Sequence, residues 1–155
     1  MRKILVFISL LFLMISCSDN SDCCVIVDTA TDIHFIKPDG SNFFDTLAGS
    51  PDIRVFFEKN GELEEVFRGN LDYPQMYFFY KVSGKFIMRL FPSDYLEKEY
   101  SSTCILLNDA DMDTIRCKFN TNNSNLICTD VWYNGLKRCS AKEPRKIEVI
   151  KYSNL

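Results

Sequence analysis

The chain has 155 residues, 46% of them hydrophobic and 14% aromatic, with 18 Lys and Arg against 21 Asp and Glu. That length accommodates one domain with a real core, and the net charge of −3 excludes nucleic acid as a partner on electrostatic grounds. No P-loop, dinucleotide fingerprint or H-E-x-x-H motif is present, so no cofactor is implied.

At the start, Arg2 and Lys3 precede an apolar run from Ile4 to Ile15 that closes on Ser16-Cys17. This is the order of a secretory signal, and the run falls short of the about 20 apolar residues a spanning helix needs. The pentapeptide Leu13-Met14-Ile15-Ser16-Cys17 resembles a bacterial lipobox. The resemblance implies cleavage before Cys17 and lipidation of its thiol, with the membrane as a partner through that lipid. Residues 1–16 are then a lipoprotein signal peptide, 17–31 the lipidated cysteine and a tether, and 32–155 a single domain. The spacer Ser18-Asp19-Asn20-Ser21-Asp22 is too polar to fold alone. It is similar to the surface-export signals of Bacteroidota-type lipoproteins, which implies an outer-membrane location, surface-exposed or periplasm-facing.

Farther along, residues 22–31 read as tether or as a first strand. Ile33 and Phe35 belong to a strand entering the turn Lys37-Pro38-Asp39-Gly40. Asn60-Gly61 is the preferred type I′ dipeptide and centres a hairpin over 53–68, pairing Lys59 with Glu62 and Val55 with Val66. A second hairpin over 75–91 turns at Ser83-Gly84. Tyr77, Phe79, Phe86, Met88 and Leu90 share one face; Met76, Phe78, Tyr80, Ile87 and Phe91 share the other. Apolar character on both faces predicts a central pair covered on both sides. Residues 95–100 suggest a helical turn. Strands follow at 103–107, 113–120, 125–133 and 146–152, with a turn at Asn134-Gly135. Short strands at intervals of about eight to twelve residues predict an all-β antiparallel sandwich.

Of seven cysteines, lipidation of Cys17 leaves Cys23, Cys24, Cys104, Cys117, Cys128 and Cys139. Their spacing is not that of a zinc site, and six cysteines allow about 15 pairings. A two-residue turn at Asn122-Asn123 would place Phe119 opposite Leu126 and Cys117 opposite Cys128, close enough for a disulfide. The alternative is a pair of reduced thiols packed as small hydrophobes.

At Asp109-Ala110-Asp111-Met112-Asp113-Thr114-Ile115 and Val131-Trp132-Tyr133-Asn134-Gly135 the chain resembles small lipoproteins of Bacteroidota-type bacteria. What the resemblance implies is an immunoglobulin- or transthyretin-like sandwich behind a tether, with no catalytic residues to transfer. Asp28-Thr29-Ala30, Asp45-Thr46-Leu47 and Asp113-Thr114-Ile115 resemble the O-glycosylation tripeptides of such bacteria. Thr29, in the tether, is the accessible candidate, and Thr114, within a strand, the least accessible.

His34 is the only histidine, and no nucleophile motif accompanies it. Asp109, Asp111 and Asp113 alternate like the opening of a calcium loop, but Thr114 and Asn120 occupy the positions where an EF-hand needs Gly and Glu. They are a weak calcium candidate beside the plainer reading of a solvated acidic turn. No carboxylate pair is singled out for glycoside hydrolysis. Tyr73, Tyr77, Phe78, Tyr80, Tyr95, Tyr100, Trp132 and Tyr133 include candidates for a sugar-stacking platform, although the alternation with Cys117 and Phe119 assigns Trp132 to the core. The expected function is a lipid-anchored envelope module, structural or binding, whose ligand is a glycan or a protein. A small carboxylate-dependent hydrolase is the rival of another class.

Overall fold

The computed structural model describes residues 25–44, 52–107, 111–122, 125–141 and 143–152. Cys17, Cys23, Cys24, Thr46, Asp109 and Asn123 lie outside them. Eleven strands run in chain order: β1 (Val27–Asp28), β2 (Thr31–Ile36), β3 (Arg54–Lys59), β4 (Glu62–Glu65), β5 (Tyr77–Val82), β6 (Lys85–Leu90), β7 (Tyr100–Leu106), β8 (Met112–Asn120), β9 (Leu126–Tyr133), β10 (Leu136–Cys139) and β11 (Lys146–Ile150). They form two sheets. The larger has the order β1-β9-β8-β7-β3-β4, with β10 also against β9; the smaller has four strands in the order β11-β2-β6-β5. Most neighbours are antiparallel, but β1 runs parallel to β9 and β11 runs parallel to β2.

Turn chemistry sets three of the hairpins. Asn60-Gly61, Ser83-Gly84 and Asn134-Gly135 all have positive φ at both central positions, the backbone that matches the twist of two antiparallel strands. The first gives Lys59 opposite Glu62, and Val66 N–H donates to Val55 O at 2.9 Å, as the sequence predicts. Residues 95–100 hold no helical turn. Glu97 and Tyr100 instead form an isolated bridge, with Lys98 at φ 61°.

Alternation then builds the core. Ile33 and Phe35 of β2, Met88 and Leu90 of β6, and Ile147 and Val149 of β11 point toward the larger sheet. They meet Val55, Phe57, Ile105, Ile115, Cys117 and Val131 from it. Burying a side chain of this size contributes about 1.5–3 kcal/mol. The layer between the sheets is therefore what holds this all-β sandwich together.

Two expectations are corrected. The β5–β6 hairpin is not central: β5 is the edge of the smaller sheet, and only its Tyr77, Phe79 face packs on the core. Apolar alternation on two faces does not distinguish a covered face from an aromatic one left half open. The β8–β9 register also differs. Cys117 lies opposite Val131 and Cys128 opposite Phe119, with a bulge beside Lys118. The extra residue breaks the two-residue alternation along β9, so Cys128 and Val131 both face inward while Trp132 faces out beside Arg116 and Lys137.

Candidate functional site

The outer face of the smaller sheet brings together the side chains that the misplaced hairpin would have hidden. Outward positions on β2 are Asp32 and His34; β5 supplies Phe78, Tyr80 and Val82; β6 supplies Ile87 and Arg89; β11 supplies Lys146 and Glu148. Asp32 and His34 are nonetheless buried, because long neighbours close over them.

Asp32 is the electrostatic centre of this face. Arg89 grips it with two hydrogen bonds, Nε to Oδ1 at 2.7 Å and a terminal nitrogen to Oδ2 at 2.9 Å, and Tyr80 OH donates to Oδ2 at 2.8 Å. Burial pushes its carboxyl upward, but the hydrogen bonds from Arg89 and Tyr80 and the Arg89 charge outweigh burial and hold it below the usual carboxylate range. Burial and the adjoining Asp32 raise the Tyr80 phenol. The Arg89 guanidinium lies 5.2 Å from the Tyr80 ring centroid and 6.0 Å from that of Phe78, within cation–π reach.

His34 is fixed at both nitrogens. Nδ1 is 3.1 Å from Glu148 Oε2, and Nε2 is 3.0 Å from Asn42 Oδ1. The Asn42 amide is oriented by its own Nδ2, which donates to Gly84 O at 2.9 Å. Between these groups lies a half-open groove of about 230 Å³, with Val82 and Ile87 as its apolar walls and Lys85, Lys146 and Glu148 at its rim.

Beside the groove is an aromatic stack. Tyr73 lies on Phe78 with ring centroids 4.1 Å apart and planes 20° from parallel, and Phe91 follows at 6.1 Å from both. Tyr73 is 42% exposed, so the outer side of the stack is a flat apolar surface with a hydroxyl at its edge.

The other expected aromatics go elsewhere. Tyr77 and Tyr133 are core residues. Tyr100 and Trp132 lie on the outer face of the larger sheet, and Tyr95 packs edge-on against Phe57; each of the three rings has a cationic side chain over it, Arg116, Lys137 and Lys59, respectively. A groove of about 280 Å³ there holds Glu58, Glu97, Tyr95, Tyr100 and Arg116. Among the described residues, every carboxyl group displaced from its ordinary range, at Asp32, Asp39, Glu65, Asp94 and Asp130, is displaced downward.

The remaining expected residues are dispersed. Cys104, Cys117, Cys128 and Cys139 are buried free thiols. Cys117 and Cys128 face each other inside the sandwich; hydrogen bonding to Cys128 together with burial pushes the Cys117 thiol well up. Thr29 is half-buried, and Arg145 grips the residues on either side of it, with Nε donating to Ala30 O at 2.9 Å and a terminal nitrogen paired to Asp28. Thr114, in contrast, is exposed. Asp111 and Asp113 converge on Lys151, whose Nζ is 2.8 Å from Asp111 Oδ1 and 2.5 Å from Asp113 Oδ2. Among the described residues, no group of three His, Cys, Asp or Glu side chains is placed to hold a metal ion, and no helix is long and apolar enough to cross a membrane.

Sequence reasoning missed Asp32, Arg89 and Lys151. Asp32 carries the one signal that could have found it, a carboxylate within the fully buried strand-like run from Thr31 to Ile36.

An all-β domain of this kind, with no group placed to hold a metal ion among its described residues, is consistent with the broad class of structural and binding modules. Within that class no family model, curated protein or solved structure matches the chain.

Proposed function

We propose that the chain is a lipid-anchored lipoprotein of the bacterial outer envelope whose sandwich binds a glycan on the outer face of its smaller sheet. The Tyr73–Phe78 stack beside the Asp32–Arg89–Tyr80 network carries the reading. A sugar ring offers an apolar face to stack on an aromatic ring and hydroxyls around its rim, and this surface sets an exposed ring beside fixed donors and acceptors. A binding role accords with the downward displacement of the Asp32 carboxyl on this face, because a general acid for glycoside cleavage needs a raised one. The immunoglobulin- or transthyretin-like character and the Bacteroidota-type affinity rest on the two-sheet architecture and on the signal and tether residues.

Binding is tested by calorimetry against a panel of soluble host and plant polysaccharides. Wild type is expected to bind a member of the panel. Tyr73→Ala is expected to weaken that binding about tenfold or more, as the loss of a stacking ring worth about 1–2 kcal/mol requires, while leaving the melting temperature nearly unchanged. Equal binding by wild type and Tyr73→Ala would overturn the assignment of this face. The anchor is tested separately by metabolic labelling with an alkyne fatty acid: wild type is expected to label, and Cys17→Ala to lose the label and leave the membrane fraction.

A further inference from the structure

At the end of the sandwich away from β1, two charged residues occupy positions that belong to the core. Asp113 follows the inward alternation of β8 with Ile115 and Cys117 and is 1% exposed. Lys151 continues the inward alternation of Ile147 and Val149 just past β11, its backbone held by a 2.8 Å hydrogen bond to Ile36 O. One belongs to the larger sheet and the other extends the smaller, so their contact spans the core. We propose that Lys151 and Asp113 condense into an intramolecular isopeptide bond that covalently joins the two sheets, with Asp111 carrying the proton.

The geometry supplies each part. Lys151 Nζ stands 2.5 Å from Asp113 Oδ2, an ion-pair contact between two buried side chains. Asp113 Oδ1 accepts a 2.8 Å hydrogen bond from Asn134 Nδ2. Asn134 is held in turn at φ 47°, and its Oδ1 accepts from Thr114 N–H at 2.7 Å. The Tyr133 hydroxyl is buried alongside. Asp111 Oδ1 lies 2.8 Å from the same Nζ.

Burial supplies the drive. A buried ion pair has lost the hydration of both charges. The step begins as one proton passes from Nζ to Asp113 Oδ2, leaving an amine lone pair beside a carboxylic acid. The Nζ lone pair then adds to Asp113 Cγ, and Asn134 N–H steadies the charge that develops on Oδ1. The new C–N bond forms as Cγ–Oδ2 breaks. The Asp111 carboxylate takes a proton from Nζ and delivers it to the departing Oδ2, which leaves as water. No oxidant or cofactor enters the balance. Fixed reactants of this kind gain effective concentrations on the order of 10⁵–10⁸ M.

The test is peptide mapping by mass spectrometry of the full-length protein. Wild type is expected to yield a branched peptide joining Asp113 to Lys151, lighter by one water than its two arms, with no tryptic cleavage at Lys151. Lys151→Arg, which keeps the charge, is expected to fold and show no branch. Asp111→Asn keeps both reacting groups and is expected to form the branch on the order of a hundredfold more slowly, the usual scale of a lost proton carrier. Full recovery of linear Lys151 and Asp113 peptides from folded wild type would overturn the proposal, as would a branch on Asp111 or an unchanged rate in Asp111→Asn.

Discussion

Asp32 shows how one residue ties stability to acidity on the ligand face. Its folded carboxyl lies below the range it has in an unfolded chain. Its stabilising contribution is therefore complete above the unfolded value of about 4 and disappears as the pH falls through the folded value. Asp32→Asn is expected to cost about 1–2 kcal/mol at neutral pH, discounted for the partial exposure of Arg89, and to flatten the acid limb of the stability curve. Urea titrations at neutral and strongly acidic pH check both, and an equally steep acid limb in the variant would place the titrating group elsewhere. At this scale the sequence was least informative. Asp32 meets Arg89 and Asp113 meets Lys151 only after the sheets form, and no local pattern announces a partner so distant in the chain. Within the acidic run read as a solvated turn or calcium loop, Asp111 and Asp113 share a lysine just past the last strand.

Among the elements, the hairpins were the most legible because their turns are local. The rule that Asn-Gly prefers φ > 0 at both positions placed Asn60-Gly61 and its register correctly. Ser83 adopts φ 50° without the preference Asn has for it. Ser83→Asn is therefore expected to stabilise the fold by about 0.5–1 kcal/mol, seen as a higher urea midpoint with an unchanged slope. The strand β9 was placed correctly at 125–133, and what escaped was its bulge. A bulge is one residue whose backbone leaves the ladder, and no side chain at Thr129 or Asp130 demands it, so strict alternation misassigned Trp132 and the Cys117–Cys128 register. The β5–β6 pair was assigned correctly as an element and wrongly as a location, because what covers a face is decided by other strands.

For the whole molecule, Arg145 is the junction between the sheets at the β1 end. Its guanidinium binds Ala30 O and Cys128 O at 2.9 Å each and pairs with Asp28, while its own carbonyl accepts Asp32 N–H at 2.8 Å. Arg145→Met is expected to cost about 2–3 kcal/mol through the carbonyls it strands. Amide exchange should accelerate first at Val27 and Leu126, the β1–β9 pair. Uniform acceleration across both sheets would show instead that Arg145 supports the core as a whole. The class of fold was visible from strand spacing and turns, but the two parallel pairings were not, since they join strands far apart in the chain.

Those parallel pairings give the domain a direction under load. β2 and β11 run side by side in the same sense, matched from Asp32 opposite Lys146 to Ile36 opposite Ile150. If the two strands are loaded at Thr31 and at Ile150, they slide along their common axis, and the hydrogen bonds between them are strained together rather than peeled apart one by one. Under such load the pair yields late and abruptly, as a shear lock rather than a zipper.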